Sequence, residues 1–169
     1  QTKNVIVLPY NPEWKNDFEE IKNELVNEFG GLIDVFKLWG ALPSNGVPQS
    51  QLLILMFYQL NTVFDIIVRR LGAIGYIHVG DLGIKDREAF KYIDKPHLQR
   101  HHLYVCPQNS NELLRHTTFR DFLRNNPEAV KKYSKVKEEA AKLFPDNIDQ
   151  YIEYKTPCIK ELYLLCGLS

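Results

Sequence analysis

Leu52-Leu53-Ile54-Leu55-Met56-Phe57-Tyr58 is an unbroken apolar run between Gln51 and Gln59. It lies within Leu38–Phe64, where 27 consecutive residues include no Asp, Glu, Lys or Arg although 25% of the chain is charged. A membrane-spanning helix needs about 20 consecutive apolar residues, so this shorter run does not predict one. A strand with both faces covered reads as a continuous apolar run. The run therefore predicts a buried strand at the centre of a sheet.

Helices and further strands are predicted on both sides of this run. Asn11-Pro12-Glu13 supplies an N-cap and an N1 proline, and Gly30-Gly31 ends the helix that follows. Apolar residues recur at helical spacing within it, namely Trp14, Phe18, Ile21, Leu25 and Phe29. Asn109 with Glu112 forms a capping box that starts a later helix. The predicted strands are Val5–Leu8, Ile33–Leu38, Leu52–Tyr58, Tyr76–Val79, Ala89–Ile93 and His102–Val105. The predicted helices run from Asn11 to Phe29, from Thr62 to Leu71, from Asn109, from Asn126, and from Asn147 to about Leu165.

The order of these elements predicts the fold class. One helix precedes several strands that surround a second helix, and three helices follow. This order is typical of an α/β (α+β) fold, in which a mixed sheet has flanking helices and a C-terminal helical part. At 169 residues with 44% hydrophobic content, the chain fits one buried core. Residues 1–169 are therefore predicted to form a single domain.

Charge and cysteine content argue against several classes of function. The chain carries 21 basic and 21 acidic side chains, so no global field would attract nucleic acid or a membrane surface. Its three cysteines lack CxxC spacing, which favours reduced thiols over a disulfide framework or a zinc site. The first residues include no apolar signal region. A cytoplasmic protein that binds neither membrane nor nucleic acid is the expectation.

The most polar predicted strand carries the first candidate site. Alternation along it places Arg100, His102 and Tyr104 on one face and His101 and Leu103 on the other. The first face could line a cleft, or it could be the exposed face of an edge strand. His101 is then expected in the core.

Further arginine and histidine residues are also candidates for a site. Arg120 and Arg124 share a helix face and could grip phosphate or be solvated. Arg87 follows a charged turn and precedes a predicted strand. His97 and His101 are four residues apart, but Pro96 argues against the helix that would pair them as metal ligands. A turn histidine and a core histidine are favoured there.

A family resemblance emerges from four segments together. They are Val7-Leu8-Pro9-Tyr10-Asn11-Pro12-Glu13-Trp14, His101-His102-Leu103-Tyr104-Val105, Leu114-Arg115 through Phe119-Arg120-Asp121-Phe122-Leu123-Arg124, and Glu153-Tyr154-Lys155-Thr156-Pro157. With compatible spacing over nearly the whole chain, they resemble the GrpB family. That family has a nucleotidyltransferase-like fold, and in some bacteria it is appended to dephospho-CoA kinase.

The resemblance implies a metal-assisted nucleotide site. Its signature is Gly-Ser at the end of one strand and Asp-x-Asp on the next, where carboxylates hold Mg²⁺ against a nucleoside triphosphate. In this chain the implied catalytic residues are His102 and Arg100, on the strand beside the metal. The implied nucleotide- or phosphate-binding residues are Gly40, Ala41, Ser50, Arg87, Tyr104, Arg120 and Lys155. Their role would be electrostatic, because phosphoryl transfer depends on positioning and charge neutralisation.

The chain departs from the family where this signature is expected. Ile54 and Met56 occupy the two Asp positions, Ala41 stands where Ser is expected, and Ser50-Gln51 replaces Lys-Pro. Neither Ile nor Met offers the hard oxygen ligand that Mg²⁺ requires. These residues as they stand therefore predict no metal bound through this pair.

Two explanations of residues 38–61 remain open. Codons rebuilt one base out of frame across positions 39–57 can be read as Val-Gly-Ser-Thr-Ser-Val-Glu-Trp-Gly-Ser-Ala-Lys-Pro-Ile-Ile-Asp-Ile-Asp-Val, which contains the missing signature in register. The alternative is genuine divergence into an inactive relative. The functional hypothesis is a nucleotidyltransferase-like protein that binds a nucleotide and Mg²⁺ in its native form. A non-catalytic nucleotide- or CoA-binding module is the alternative.

Overall fold

The computed structural model describes Val5 and residues 11–29, 36–41, 52–58 and 64–168. Its helices are α1 (Trp14–Phe29), α2 (Phe64–Ala73), α3 (Asn111–Arg124), α4 (Pro127–Leu143) and α5 (Ile148–Leu165). Its strands are β1 (Phe36–Ala41), β2 (Leu52–Tyr58), β3 (Tyr76–Gly80), β4 (Glu88–Tyr92) and β5 (His101–Pro107). The predicted mixed α/β fold class with a C-terminal helical part is confirmed.

The five strands form one mixed sheet in the order β1-β2-β5-β4-β3. The pair β2 and β5 is parallel, and the other neighbouring pairs are antiparallel. Strand β2 has the predicted bounds and lies between β1 and β5, so the prediction of an interior strand is confirmed.

Helix α1 follows the predicted apolar periodicity. Its buried side chains recur at helical spacing, and these are Trp14, Phe18, Ile21, Leu25 and Phe29. Helix α2 is described from Phe64 to Ala73, and the predicted first residue, Thr62, lies outside the described residues. Helix α3 begins at Asn111, two residues after the predicted capping residue Asn109. The predicted strand Val5–Leu8 lies outside the described residues except for Val5.

The two later helices begin where the sequence predicts. Asn126 precedes the N1 proline of α4, and its side-chain amide donates back to the carbonyl of Phe122 at 2.7 Å. Asn147 caps α5, since its Oδ1 accepts from the backbone N–H of Gln150 at 3.1 Å. These contacts satisfy polar groups that the helix ends leave unpaired.

The chain divides into two compact units. The sheet unit comprises residues 12–42 and 51–114, with the five strands, α1 and α2. The helical unit comprises residues 1–11, 43–50 and 115–169, with α4, α5 and most of α3. Its buried core is Leu123, Ala129, Cys158 and Leu162. The single-domain organisation stays a prediction.

A buried histidine connects three strands of the sheet unit. His101 is 3% exposed, and its Nδ1 lies 2.8 Å from the carbonyl of Gln99, so Nδ1 carries the proton. The Tyr76 hydroxyl then donates to Nε2 at 2.7 Å, and the His101 N–H donates to the Tyr92 hydroxyl at 3.0 Å. The predicted core position of His101 is confirmed.

Acid should destabilise the sheet unit through this residue. Burial lowers the pKa of His101 below its usual 6.5. Between pH 6.5 and the lower folded-state pKa, this histidine is therefore protonated in the unfolded chain but neutral in the folded chain. We expect the free energy of unfolding to fall by up to about 1.4 kcal/mol per pH unit as pH drops from 6.5 to the folded-state pKa.

Chemical denaturation between pH 8 and 5 measures this effect. The variant His101→Gln should lose that part of the pH slope, because an amide does not titrate there. His102→Gln is the matched control, since His102 is its exposed neighbour. An unchanged slope in His101→Gln would contradict the assignment.

Candidate functional site

The exposed face of β5 brings three predicted site residues together. The guanidinium carbon of Arg87 lies 4.2 Å from the ring centroid of Tyr104. The rings of His102 and Tyr104 are nearly parallel, with centroids 5.9 Å apart. His102 is exposed and Tyr104 half-buried, whereas His101 and Leu103 are buried. The predicted alternation along this strand is confirmed, and we call Arg87, His102 and Tyr104 the β5 triad.

A tight turn between β3 and β4 places Arg87 beside this face. The carboxylate of Asp81 accepts from the N–H of Gly83 at 2.9 Å, and the N–H of Arg87 donates to the carbonyl of Ile84 at 3.3 Å. Asp86 has a φ of 60°, a left-handed conformation that Asp tolerates better than most residues. The turn therefore ends with Arg87 held at the entry of β4.

The guanidinium of Arg87 has unused hydrogen-bonding capacity. Its Nε is buried, and within the described part of the chain it has no hydrogen-bond partner. Stacking on Tyr104 uses the face of the guanidinium and leaves its N–H edge available. A planar fork of donors matches the oxygens of a phosphate or carboxylate. The β5 triad is thus arranged to receive an anion.

The other predicted residues of the sheet unit are placed as follows. Arg100 is exposed and directly precedes β5. Gly40 and Ala41 lie in β1, where Gly40 pairs with position 54 of β2. Ser50 lies outside the described residues.

In the helical unit, Arg120 and Lys155 have different surroundings. The Nε of Arg120 donates to Asp121 Oδ1 at 3.0 Å, so its charge is partly compensated. The ammonium of Lys155 lies 4.7 Å from the ring centroid of Tyr151. Arg124 is exposed. The phosphate-binding role that the family resemblance implies for Arg120 and Lys155 stays a prediction.

The placement of positions 54 and 56 beside His102 is wrong. Ile54 pairs with Leu103, and Met56 pairs with Val105, while laterally paired residues of a sheet share a face. Met56 and Val105 are fully buried. Met56 therefore packs in the covered core, and its apolar side chain does not enter a polar cleft on the side of His102. A one-residue difference in strand pairing would be needed to exchange the faces.

The residues of this chain do not fit a magnesium ion at the family position. Position 56 presents a buried thioether, which is not a ligand for a hard cation. Within the described ranges, no group of three His, Cys, Asp or Glu side chains could hold a metal. His97 instead contacts Glu24 Oε2 at 2.8 Å.

Cys106 follows the β5 triad along the strand but is not a nucleophile. It is fully buried, and burial, followed by the charge of Glu112, raises the pKa of its thiol to about 12. A thiol reacts as its thiolate, so Cys106 is inert near neutral pH. Cys106, Cys158 and Cys166 are free thiols.

Sequence reasoning missed two buried lysines. Lys95 pairs with Glu24 of α1 at 2.5 Å, and Lys137 is buried in α4. The apolar pattern of a helix predicts which of its faces is buried. It does not predict that Lys137 is buried, because a lysine is ordinarily placed on the exposed face.

Comparisons with known proteins place the chain in a family. The family described as "GrpB protein" matches residues 4–164. UPF0157 protein YqkA of Bacillus subtilis (strain 168) is 31% identical over 94% of this chain, but the match spans only 46% of that protein's length. Glutamate-rich protein GrpB of Alkalihalophilus pseudofirmus is 25% identical, with 94% of this chain and 93% of that protein covered.

A solved structure has the same fold. The crystal structure of conserved protein GrpB from Enterococcus faecalis matches with a TM-score of 0.74 at 24% identity, covering 94% of this chain and 99% of that one. Among the helices in the described residues, none has the length and apolar character to cross a membrane. The family match over residues 4–164 and the agreement of fold lead to one conclusion: the chain belongs to the GrpB family.

Proposed function

We propose that this chain binds a nucleotide through its phosphates at the β5 triad. The observation that carries the proposal is the buried Nε of Arg87, which has no hydrogen-bond partner among the described residues. The face of the same guanidinium is already stacked on Tyr104. Family membership and the nucleotidyltransferase-like fold support a nucleotide as the source of those phosphates.

Each member of the triad has a distinct part in the proposed binding. Arg87 supplies a fixed positive charge and a fork of donors for phosphate oxygens. Tyr104 orients that fork by cation–π contact and reduces the rotamer entropy lost on binding. His102 presents an exposed aromatic ring on which a base can stack or to which a phosphate can hydrogen-bond. Arg100, at the start of the same strand, adds positive charge.

Binding without a resident metal is the function that these residues support best. Transfer of a nucleotidyl group would need a carboxylate pair to hold Mg²⁺, and Ile54 and Met56 do not provide one. Transfer is therefore proposed only for a form that carries the family signature at positions 41–56. The free thiols support action in a reducing compartment such as the cytoplasm.

The alternative ligand is a CoA-related molecule, which also carries phosphates. CoA would bind the same guanidinium of Arg87 as a nucleotide would. The two ligands are therefore distinguished by their affinities and not by the residues that bind them. Calorimetric titration of wild-type protein with ATP, CoA and adenosine separates them. Tighter binding of CoA than ATP would favour the CoA-binding module, and tight binding of adenosine would contradict recognition through phosphate.

Arg87→Gln tests the proposal directly. We expect ATP to bind about 10- to 100-fold more weakly, because a charge-assisted hydrogen bond to phosphate is worth about 1.5–3 kcal/mol. Arg69→Gln is the matched control, since Arg69 is an exposed arginine of α2 in the same unit, and its affinity should equal that of wild type. Equal affinity in Arg87→Gln, in protein whose circular dichroism is unchanged, would overturn the proposal.

A further inference from the structure

Helices α4 and α5 each carry a lysine packed over a tyrosine one turn earlier. Lys137 is 7% exposed, and its Nζ lies 5.1 Å from the ring centroid of Tyr133. Lys155 is partly buried, with its Nζ 4.7 Å from the ring of Tyr151. The same Tyr-x-x-x-Lys arrangement thus occurs on two helices that pack together.

Neither amine has an ion-pair partner among the described residues. In the part of the chain that the structure describes, no carboxylate forms an ion pair with Lys137 or Lys155. Two exposed lysines of α4 are paired, since Lys132 lies 2.6 Å from Glu161 and Lys131 lies 3.2 Å from Glu128. Lys137 is thus buried without a carboxylate partner among the described residues, whereas the buried Lys95 is paired with Glu24. A buried lysine ordinarily has such a partner.

Burial and mutual repulsion act on the two amines together. Burial is the larger cause and the charge of Lys155 the second, and they lower the pKa of Lys137 to about 7. Burial also lowers the pKa of Lys155. Lys155 is the charged group that acts on Lys137 from the facing helix, with Tyr133 beside Lys137 and Tyr151 beside Lys155. Near neutral pH the site holds between one and two positive charges, and no carboxylate in the described part of the chain pairs with them.

We propose that Lys137 and Lys155 form a binding site for a small phosphate anion within the helical unit. Two ammonium groups that repel each other from packed helices call for two negative charges, which a phosphate dianion supplies and a single carboxylate does not. Each ammonium has three donors, and the tyrosine rings hold both cations from one side without consuming their N–H groups. Lys155 is partly exposed, so the anion reaches Lys137 past it.

Proton uptake is the signature of this site. An anion beside Lys137 favours the charged amine, so binding at pH 7 should draw a proton from the buffer. Phosphate that adsorbs to exposed lysines, which are already protonated at pH 7, would not draw a proton from the buffer. The site does not depend on the β5 triad, and its failure would leave the proposed nucleotide binding untouched.

The test is titration of the full chain with inorganic phosphate at constant ionic strength, set by sodium chloride. We expect the melting temperature to rise with phosphate concentration, and calorimetry in two buffers of different ionisation enthalpy to show proton uptake. Lys137→Met should abolish both effects. Lys155→Met should weaken binding. Lys135→Met, an exposed position of α4, should leave both effects unchanged.

Parallel titrations with pyrophosphate and ATP distinguish the source of the phosphate. Tighter binding of ATP that is lost in Lys137→Met would assign the site to a nucleotide's phosphates, and equal binding of phosphate and ATP would assign it to the free anion. No stabilisation of wild-type protein by any of the three would overturn the proposal. The proposal would also be overturned if phosphate stabilised the wild type without proton uptake and stabilised Lys137→Met and Lys155→Met to the same extent. If Lys137→Met fails to fold, Lys155→Met and the proton count in wild type decide.

Discussion

Replacing Met56 by Asp is expected to lower the free energy of unfolding by about 3–5 kcal/mol, because an uncompensated charge would be buried in the core. Met56 is fully buried and pairs with the buried Val105 across β2 and β5. Urea denaturation of Met56→Asp against wild type measures the loss. Because Met56 pairs with the buried Val105, a carboxylate at position 56 is not expected to create a metal site.

Met56→Leu is the control for this substitution. It changes shape at nearly constant volume and should cost less than about 1.5 kcal/mol. A Met56→Asp protein as stable as wild type, or one that binds Mg²⁺ in calorimetry, would show that position 56 faces the side of His102. Strand β2 would then pair with β5 one residue out of the register described here.

Glu24→Ala is expected to cost about 3 kcal/mol of stability, since it leaves the Lys95 ammonium buried without its partner. The side chain of Lys95 is only 4% exposed, and its Nζ lies 2.5 Å from Glu24 Oε1. Burial raises the pKa of Glu24, but hydrogen bonds from Lys95 and His97 outweigh it and lower the pKa overall. The carboxylate thus stabilises the folded chain above its unfolded-state pKa, and this stabilisation is lost as pH falls through the lower folded-state pKa.

A double-mutant cycle isolates the ion pair. Lys95→Met with Glu24→Ala should cost less than the sum of the two single changes, because no unpaired charge remains. Glu20→Ala, an exposed position on the same helix, should change stability by less than about 0.5 kcal/mol. Additive costs in the cycle would show that the contact contributes nothing beyond packing.

The sequence predicted the parts of the fold that depend on local pattern. Apolar spacing gave the buried face of α1, the unbroken run gave the bounds of β2, and alternation gave the exposed His102 and the buried His101. Each of these follows from the period of a helix or a strand. The members of the β5 triad were also predicted as candidate site residues, although the contacts of Arg87 and His102 with Tyr104 were not.

Pairing between distant segments could not be predicted in the same way. The face of position 56 depends on how β2 aligns with β5, and a shift of one residue reverses it. The partner of Lys95 lies 71 residues away along the chain, in α1. Burial of Lys137 results from the packing of α4 on α5, and a helical wheel shows only which face a residue occupies.

The origin of residues 38–61 is a separate question with a direct answer. An intact mass that matches the amino-acid sequence, or the DNA sequence of the gene across Val35 to Asp65, decides between genuine divergence and a segment read out of frame. Genuine divergence would leave a binding protein without transfer activity. A frame error would restore Asp at positions 54 and 56, and the β2 pairing would then be expected to differ.

The central claim is that the β5 triad holds the phosphates of a nucleotide without a metal ion. Calorimetric titration of ATP into protein of verified mass, once with Mg²⁺ and once with EDTA, tests it most directly. Because Arg87 is a fixed cation that recognises negative charge, ATP should bind at least as tightly in EDTA, where its phosphates carry more charge. Binding that requires Mg²⁺ would contradict the claim.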